Sequence, residues 1–329
     1  MKKVIPCLLC LCLLVGANSS FAQQYPVFTQ YYFNELVINP AYAGSQVQLS
    51  LTSMYRSQWV NFPGAPQTYS FTGHTSMLGG KVGVGLLFNH DKIGSYKNDN
   101  VYGYYAYKLH FHKGTLSMGL SAGFNLLAAD FSKLDLVDID DASFAAINNY
   151  KPNFGAGLYY SQKNFFVGFS VPFILNSAVK TGVDLTTISQ ARYYFLRSGL
   201  IHPISPNVKI NPSILVRGQE GQPLSMDLNL GLILYDIVSG GVSWRSGDAL
   251  ISFLDFKVFE NLHFAYSYDW TSSGIRKYSN GSHEFMLNYR FKINSIHKEL
   301  ECPTYYNYGT SSTRTKSNNK FNPKQRRSN

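Results

Sequence analysis

A strict alternation of apolar and polar residues, repeated along most of the chain, is the feature that most limits how this sequence can fold. In residues 282–293, SHEFMLNYRFKI, every second residue from Phe285 onward is apolar, and the residues between are mostly polar or charged. Residues 223–235 and 262–270 repeat the pattern. Successive side chains of a strand point to opposite faces, so each stretch predicts a strand with one apolar and one polar face. The candidates for the polar, lumen-facing side are Arg56, Gln58, Asp227, Asn229, Arg245, Asp269, Glu284, Arg290 and Lys292.

The length of these stretches separates two all-β architectures. The alternation runs over about ten residues between turn signals, which is typical of a transmembrane β-barrel. A soluble sandwich also alternates, but its strands usually have about five or six residues. Aromatic residues near strand ends, as in 102–107 and 266–270, favour the barrel because amphipathic rings gather at membrane interfaces. We predict an antiparallel barrel of fourteen strands over 47–293, near residues 47–57, 67–76, 81–90, 100–112, 115–126, 153–162, 164–172, 190–201, 206–217, 224–235, 237–246, 248–259, 261–270 and 281–292.

The connections between these strands predict how the barrel is oriented. Outer-membrane barrels have short periplasmic turns and longer extracellular loops, and an even number of strands returns the chain to the side from which it started. We therefore expect both termini in the periplasm and the acidic segment 127–152 as the largest external loop. Tight polar turns are predicted at Gly79-Gly80, Lys113-Gly114, Gln162-Lys163, Ser239-Gly240, Gly247-Asp248 and Glu260-Asn261, alternating with longer connections near 58–66, 91–99, 127–152, 173–189, 218–223 and 271–280.

The first 22 residues have the composition of a secretory signal peptide. Two lysines precede an apolar run, and Ser20-Phe21-Ala22 forms a small-x-small cleavage site. The mature chain then starts at Gln23, with its formal charge lowered from +10 to +8 by loss of the two lysines. A lipoprotein is the alternative, but the small residue expected before the modified cysteine is missing. Cleavage leaves Cys302 alone, so no intramolecular disulfide can form.

Residues 23–46 stand between the signal peptide and the first strand. Their centre, QYYFNELVINPAYAGS, is dense in aromatic and branched residues, and Asn39-Pro40 interrupts any continuous strand ladder. We expect this N-terminal segment to pack on or in the barrel as a short helix and turn that plugs the lumen from the periplasmic side. Burial of Tyr31, Phe33, Leu36 and Ile38 would stabilise that arrangement.

Residues 294–329 form a polar, basic tail without apolar periodicity. From residue 295 onward it holds seven basic and two acidic residues, a formal charge of +5. Such a composition predicts disorder. A basic tail often binds nucleic acid, but an exported chain meets none, so anionic periplasmic proteins or lipid headgroups are the expected partners. The candidate contact residues are Lys316, Lys320, Lys324, Arg326 and Arg327.

No residue pattern indicates an enzyme, a cofactor or a metal. His110 and His112 share a strand face but lack a third ligand nearby in sequence, so they are interpreted as polar lumen or interface residues. The glycines of 79–85 lack the Lys-Ser/Thr and helix of a phosphate loop and are interpreted as glycines of a curved strand. Spacing nominates no nucleophile, base and acid set.

Several blocks of the sequence resemble the PorP/SprF family. The opening block FTQYYFNELVINPAYAG and the closing block GSHEFMLNYRF are the most specific, and the resemblance covers nearly the whole mature chain to about residue 293. Between them stand, in order, YRSQWVNFPGAPQTY, DKIG, PSILVRG, MDLNL, SWRS and YSYDW.

The resemblance implies a non-enzymatic outer-membrane protein of a Gram-negative bacterium, working in type IX secretion and gliding motility. Its implied partners are periplasmic core and peptidoglycan-associated components of that machinery, outer-membrane lipids, and a secreted adhesin or other cargo with a C-terminal signal. A general diffusion porin or a transporter of hydrophobic substrates is the alternative, since a barrel of this size suits either. Besides the tail residues, the candidates for partner binding are Phe33, Asn39, Pro40, Tyr42, Arg56 and Trp59; ordinary structural roles for Arg56 and Trp59 remain open.

Overall fold

Fourteen antiparallel strands close into a barrel because the first strand pairs with the last. The computed structural model describes residues 28–129, 147–181, 186–190, 192–220 and 222–291. Closure is made by β1 (Leu49–Ser57) with β17 (Ser282–Phe291), and by β10 (Tyr193–Leu200) with β12 (Val208–Gln219). The remaining barrel strands are β2 (Gln67–Met77), β3 (Val82–Ile93), β4 (Tyr96–His110), β5 (Gly114–Ala129), β6 (Ile147–Gln162), β7 (Phe165–Val171), β13 (Ser225–Leu234), β14 (Val238–Arg245), β15 (Ala249–Phe259) and β16 (Leu262–Thr271).

Three short strands lie outside the barrel wall. β8 (Ser177–Thr181) and β9 (Thr186–Gln190) form a separate hairpin between β7 and β10. β11 (His202–Ser205) pairs with the start of β12. Within the described part of the chain, no helix reaches the length and apolar character needed to cross a membrane.

The alternation of residues along each strand separates the two faces of the wall. In β17, Glu284, Asn288 and Arg290 are buried inside, whereas Phe285 and Leu287 are exposed outside. β13 and β16 repeat this arrangement, with Asp227 and Asp269 inside. The predicted all-β barrel of fourteen strands is therefore confirmed, and so are its polar interior and apolar exterior.

Several predicted features of the connections are wrong. The acidic connection is not the longest, because β5 and β6 pair as far as Ala129 and Ile147 and leave 17 residues between them, against 21 between β7 and β10. Ser239-Gly240 is part of β14, and the turn lies at 235–237; these small residues resemble a turn in sequence, but their backbones pair with Ile233 and Leu232. The expected long connection at 91–99 is a tight turn at 94–95, because β3 and β4 continue pairing to Ile93 and Tyr96.

The connections divide between the two ends of the barrel. The last residues of β17 lie at one end, which we call the tight-turn end. Its connections are 78–81, 111–113, 163–164, 201–207, 235–237 and 260–261. The opposite, long-connection end carries 58–66, 94–95, 130–146, 172–192, 220–224, 246–248 and 272–281. The tight turn at Gly247-Asp248 therefore lies at the long-connection end. It was predicted to lie at the other end, with the remaining tight turns.

The N-terminal segment, here residues 28–46, is buried throughout. It forms three 3-10 turns, Gln30–Tyr32, Glu35–Val37 and Pro40–Tyr42, instead of one short helix. Its contacts run from the long-connection end at Thr29 to the tight-turn end at Gly44. The segment therefore extends along the interior and is not confined to one end.

Several predicted regions lie outside the described residues. These are the signal peptide 1–22, the basic tail 294–329 with Cys302, and most of the acidic connection 127–152. The locations of both chain termini are likewise outside the described part and stay predictions.

Candidate functional site

A cluster of buried charges holds the start of the N-terminal segment at the long-connection end. Arg56 bonds to Asp269 at 2.7 Å and to Glu284 at 3.0 Å. Glu284 accepts hydrogen bonds from the backbone N–H groups of Thr29 and Gln30 at 2.8 and 2.9 Å. The sequence predicted Arg56 as a lumen-facing residue. The structure shows it inside, between two carboxylates, one of which also binds the segment backbone.

The cluster extends along the wall, and each of its buried charges has a partner of opposite sign. Asp227 accepts from Arg217 at 2.8 Å and from Arg245 at 3.2 Å, and Arg245 lies 3.7 Å from Asp269. Arg245 also lies 3.6 Å from Asp248 in the next connection. Three arginines thus face three buried carboxylates, all within two residues of strand ends. Buried charges persist when each is paired, and removing one partner is costly.

Arg197 of β10 holds the middle of the segment. Its guanidinium donates to the carbonyl oxygen of Tyr31 at 2.8 Å and lies 3.6 Å from the carboxylate of Glu35. It also lies over the rings of Tyr31, Tyr32 and Phe166, at 5.0 to 5.5 Å from their centroids. Ion pairing and cation–π contact therefore combine at one side chain. Arg197 was not among the predicted lumen-facing residues, although a charged residue on the face opposite Leu196 and Leu200 in the run YYFLRSGL was a usable signal.

Side-chain hydrogen bonds join the segment to other inward-facing residues. The amide of Asn229 donates to the Tyr31 hydroxyl at 3.0 Å, and Asn34 donates to Thr72 at 2.9 Å. Ser117 and Ser170 donate to segment carbonyl oxygens, at 2.6 Å each. These four polar partners come from β2, β5, β7 and β13, so the segment is held from several sides of the wall.

Glycines in the wall make room for the segment backbone. A Cβ atom on Gly119 would lie 2.2 Å from the Ala41 nitrogen, and one on Gly83 would lie 2.0 Å from the Ala43 carbonyl oxygen. Gly157 and Gly231 would meet the side chains of Asn39 and Tyr32 at 2.1 and 2.3 Å. Gly83 belongs to the 79–85 cluster interpreted from sequence as strand curvature; its close contact with Ala43 gives a more specific physical reason.

The predicted partner residues of the segment make contacts inside the chain. The side chain of Asn39 accepts a hydrogen bond from the Ala41 N–H at 2.9 Å and so caps the 3-10 turn that begins at Pro40. The same side chain donates to the Leu158 carbonyl oxygen at 3.1 Å. Tyr42 packs edge-on against Tyr159, with ring centroids 5.8 Å apart. Phe33 packs in the same way on Phe253, also at 5.8 Å. That these residues bind an external partner stays a prediction.

Trp59 lies in the connection 58–66, two residues beyond the end of β1. Its backbone has a φ of 50°, and its N–H donates to the Ser282 hydroxyl at 3.1 Å. The neighbouring Val60 exchanges backbone hydrogen bonds with 280–281, so two long connections are joined there. Trp59 itself is half-buried. The tail candidates Lys316, Lys320, Lys324, Arg326 and Arg327 lie outside the described residues.

The histidine pair has no metal-site geometry. His110 contacts the Thr115 hydroxyl at 3.0 Å and the Gly80 carbonyl at 3.2 Å, whereas His112 is exposed beyond the strand end. Among the residues that the structure describes, no group of three or more His, Cys, Asp or Glu is placed to hold a metal ion.

Solved barrels share the fold at low sequence identity. The CymD monoaromatic hydrocarbon channel matches with a TM-score of 0.50 and 10% identity, over 84% of this chain and 96% of that chain. The toluene transporter TbuX of Ralstonia pickettii has a TM-score of 0.46 and 11% identity, over 78% and 93% of the two chains. The outer membrane protein Omp33 of Acinetobacter baumannii has a TM-score of 0.44 and 11% identity, over 74% and 99%. The likeness to CymD supports an outer-membrane barrel fold and nothing more.

Sequence comparison assigns the family. No curated protein shows a significant match to this chain. The family model described as type IX secretion system membrane protein PorP/SprF matches residues 20–289. That range contains the whole N-terminal segment and all the barrel strands to within two residues of the end of β17. The chain is therefore an outer-membrane β-barrel that belongs to the PorP/SprF family of type IX secretion system membrane proteins.

Proposed function

We propose that this protein is a non-enzymatic docking component of the type IX secretion and gliding machinery, with a barrel interior filled by its own N-terminal segment. It binds periplasmic and peptidoglycan-associated components of that machinery, and it serves a secreted adhesin or other cargo with a C-terminal signal.

One observation carries the proposal: every residue from Phe28 to Gln46 is buried inside the barrel. A diffusion porin needs a water-filled path with charged walls. Here the inward-facing arginines and carboxylates are paired with one another and with the segment. This arrangement favours a protein that binds partners through its outer surfaces over one that conducts solutes.

We infer different roles for Arg56 and Trp59, the two partner candidates in YRSQW. Arg56 is buried and bonded to two carboxylates, so its effect on partners is indirect, through the position of the segment. Trp59 is half-buried in a connection at the long-connection end, where a partner can reach it. Trp59→Ala should therefore reduce cargo export more than it reduces the amount of barrel.

The basic tail is the part of the chain that we assign to periplasmic docking. Its five candidate residues, from Lys316 to Arg327, provide positive charge for anionic partners. The polybasic attraction is electrostatic and weakens as salt rises.

Affinity purification of the tagged protein from cells, with and without truncation after Glu301, tests the docking role. We expect the truncated barrel to insert normally but to recover less of the periplasmic machinery, and recovery by the intact protein to fall as salt is raised. Equal recovery of partners and equal secretion after truncation would contradict the role assigned to the tail.

A further inference from the structure

Two lysines face each other on the outer surface of the barrel wall. Lys92 of β3 pairs directly with Lys97 of β4, and both are exposed. Directly opposed side chains on one face lie about 5 Å apart at Cβ, and like charges in that position destabilise a sheet. An anion bound between the two ammonium groups would offset that repulsion.

The described protein residues do not supply that anion. The nearest carboxylate on the same face is Asp99, two residues from Lys97, and its oxygen contacts His90 Nδ1 at 2.5 Å. Within the residues described here, neither lysine has a carboxylate within 4.0 Å. The other neighbour across from Lys92 is the amide side chain of Gln67 on β2, a further hydrogen-bond donor.

The height of the pair on the wall points to a lipid headgroup. Exposed apolar residues follow the outer face of β4 from Leu109 to Val101. Eight residues at about 3.4 Å rise, tilted by about 40°, cover roughly 20 Å of the membrane normal, close to the apolar band of about 25 Å in such barrels. Lys97 lies two side chains beyond Val101 on that face, and Lys92 lies two beyond Phe88 on the next strand.

The end of the barrel selects the leaflet. Lys92 and Lys97 flank the turn 94–95, at the long-connection end. Longer connections face the exterior in outer-membrane barrels, so the pair lies at the headgroups of the outer leaflet. A phosphate monoester carries a charge of about −1.5 to −2 at neutral pH, which matches two ammonium groups better than the single charge of a phosphodiester.

We propose that Lys92, Lys97 and Gln67 form a binding site for the phosphate of a phosphorylated glycolipid in the outer leaflet. The acyl chains of that lipid lie along Phe71, Phe88 and Val101, which are exposed on the same outer face. One row of side chains, Tyr69, His90 and Asp99, lies between these residues and the site. The site is on the outer wall and is independent of the interior segment and of the docking role proposed above.

Native mass spectrometry of the full-length mature protein in detergent, titrated with lipid A, tests this site. A lysine near an anionic surface strengthens binding about fivefold, so Lys92→Gln combined with Lys97→Gln should weaken lipid A binding by roughly thirtyfold. The matched control combines Arg276→Gln with Lys277→Gln, which removes the same charge from exposed positions at the same end. The control should bind like the native protein, and all variants should retain the native heat-modifiable barrel.

Three further ligands identify the group that is bound. Dephosphorylated lipid A should bind the native protein as weakly as lipid A binds the double lysine variant. Phosphatidylglycerol should bind with little dependence on the lysines, and inorganic phosphate at millimolar concentration should not displace lipid A. The assignment is wrong if the native and double-variant proteins bind lipid A equally, or if the control variant loses as much binding as the double lysine variant. It is also wrong if phosphatidylglycerol binds as strongly as lipid A and in a lysine-dependent way, or if inorganic phosphate displaces lipid A.

Discussion

Arg56 shows how a single side chain couples the barrel wall to the segment inside it. Its guanidinium neutralises Asp269 and Glu284, and Glu284 in turn binds the backbone at Thr29 and Gln30. The carboxylate of Glu284 is completely buried. Loss of the arginine would therefore leave two buried carboxylates close together with less positive charge.

Arg56→Ala should destabilise the barrel by about 3–5 kcal/mol, the usual cost of removing one partner from a buried ion pair. Urea unfolding in detergent micelles measures this change. Arg276→Ala removes an exposed arginine at the same end of the barrel and should change the free energy of unfolding by less than about 0.5 kcal/mol. Equal unfolding curves for the two variants would show that the buried cluster does not stabilise the fold.

Gly119 gives a second test of the interior packing at single-residue resolution. Gly119→Ala places a methyl group 2.2 Å from the Ala41 backbone nitrogen, and overpacking of this kind costs about 1–3 kcal/mol. Gly103→Ala is the matched control on the neighbouring strand, since its nearest contact beyond its chain neighbours would be 3.9 Å away. A lower temperature of the heat-modifiable gel shift is expected for Gly119→Ala only. If both variants shift equally, the wall glycines are not needed to admit the segment.

Elements were predicted well where one physical rule decided them. The alternation of side chains located all fourteen wall strands because a strand with lipid on one side and a polar interior on the other has no other stable pattern. Strand ends were less accurate. β4 begins at Tyr96 and β6 at Ile147, because polar residues such as those of KNDN continue the ladder above the apolar band.

The N-terminal segment was the least predictable element. Its apolar density predicts burial, but three 3-10 turns and a path along the interior depend on contacts with seven or more strands that are distant in sequence. The same limit applies to Gly119 and Gly157. Glycine is required at these two positions because Ala41 and Asn39 lie too close for a Cβ atom. The local sequence of β5 or β6 gives no sign of these distant neighbours.

Deletion of residues 24–46 tests the role of the segment as an element. Burial of Tyr31, Phe33, Leu36 and Ile38 contributes roughly 1.5–3 kcal/mol each, and deletion also leaves inward charges without their backbone partners. We expect failed assembly or a barrel that unfolds at lower temperature. The control is truncation of the chain after Glu301, which removes no residue of the described barrel and should leave its unfolding temperature unchanged. Unchanged heat resistance and an unchanged protease pattern in the deletion would show that the segment is dispensable for the fold.

At the scale of the whole molecule, the first and last described residues lie at opposite ends of the barrel. Thr29 contacts residues at the long-connection end, whereas Phe291 ends β17 at the tight-turn end. Single cysteines at Asn280 in a long connection and at Asp236 in a tight turn, each introduced after Cys302→Ser removes the native thiol, allow this orientation to be tested. In intact cells, a membrane-impermeant maleimide should label Asn280→Cys and not Asp236→Cys. The reverse pattern would place the long connections in the periplasm and would also move the Lys92–Lys97 site to the inner leaflet.

The N-terminal segment fills the barrel, and we expect it to prevent the protein from acting as an open pore. Conductance of the purified full-length protein in planar lipid bilayers tests it most directly, because an unobstructed barrel of fourteen strands would pass ions in discrete steps. The inserted protein should show no stable open-channel steps, and conductance should appear only in variants whose segment is removed or displaced. Steady, ohmic single-channel steps from the native protein, with the segment present and protected from protease, would contradict it.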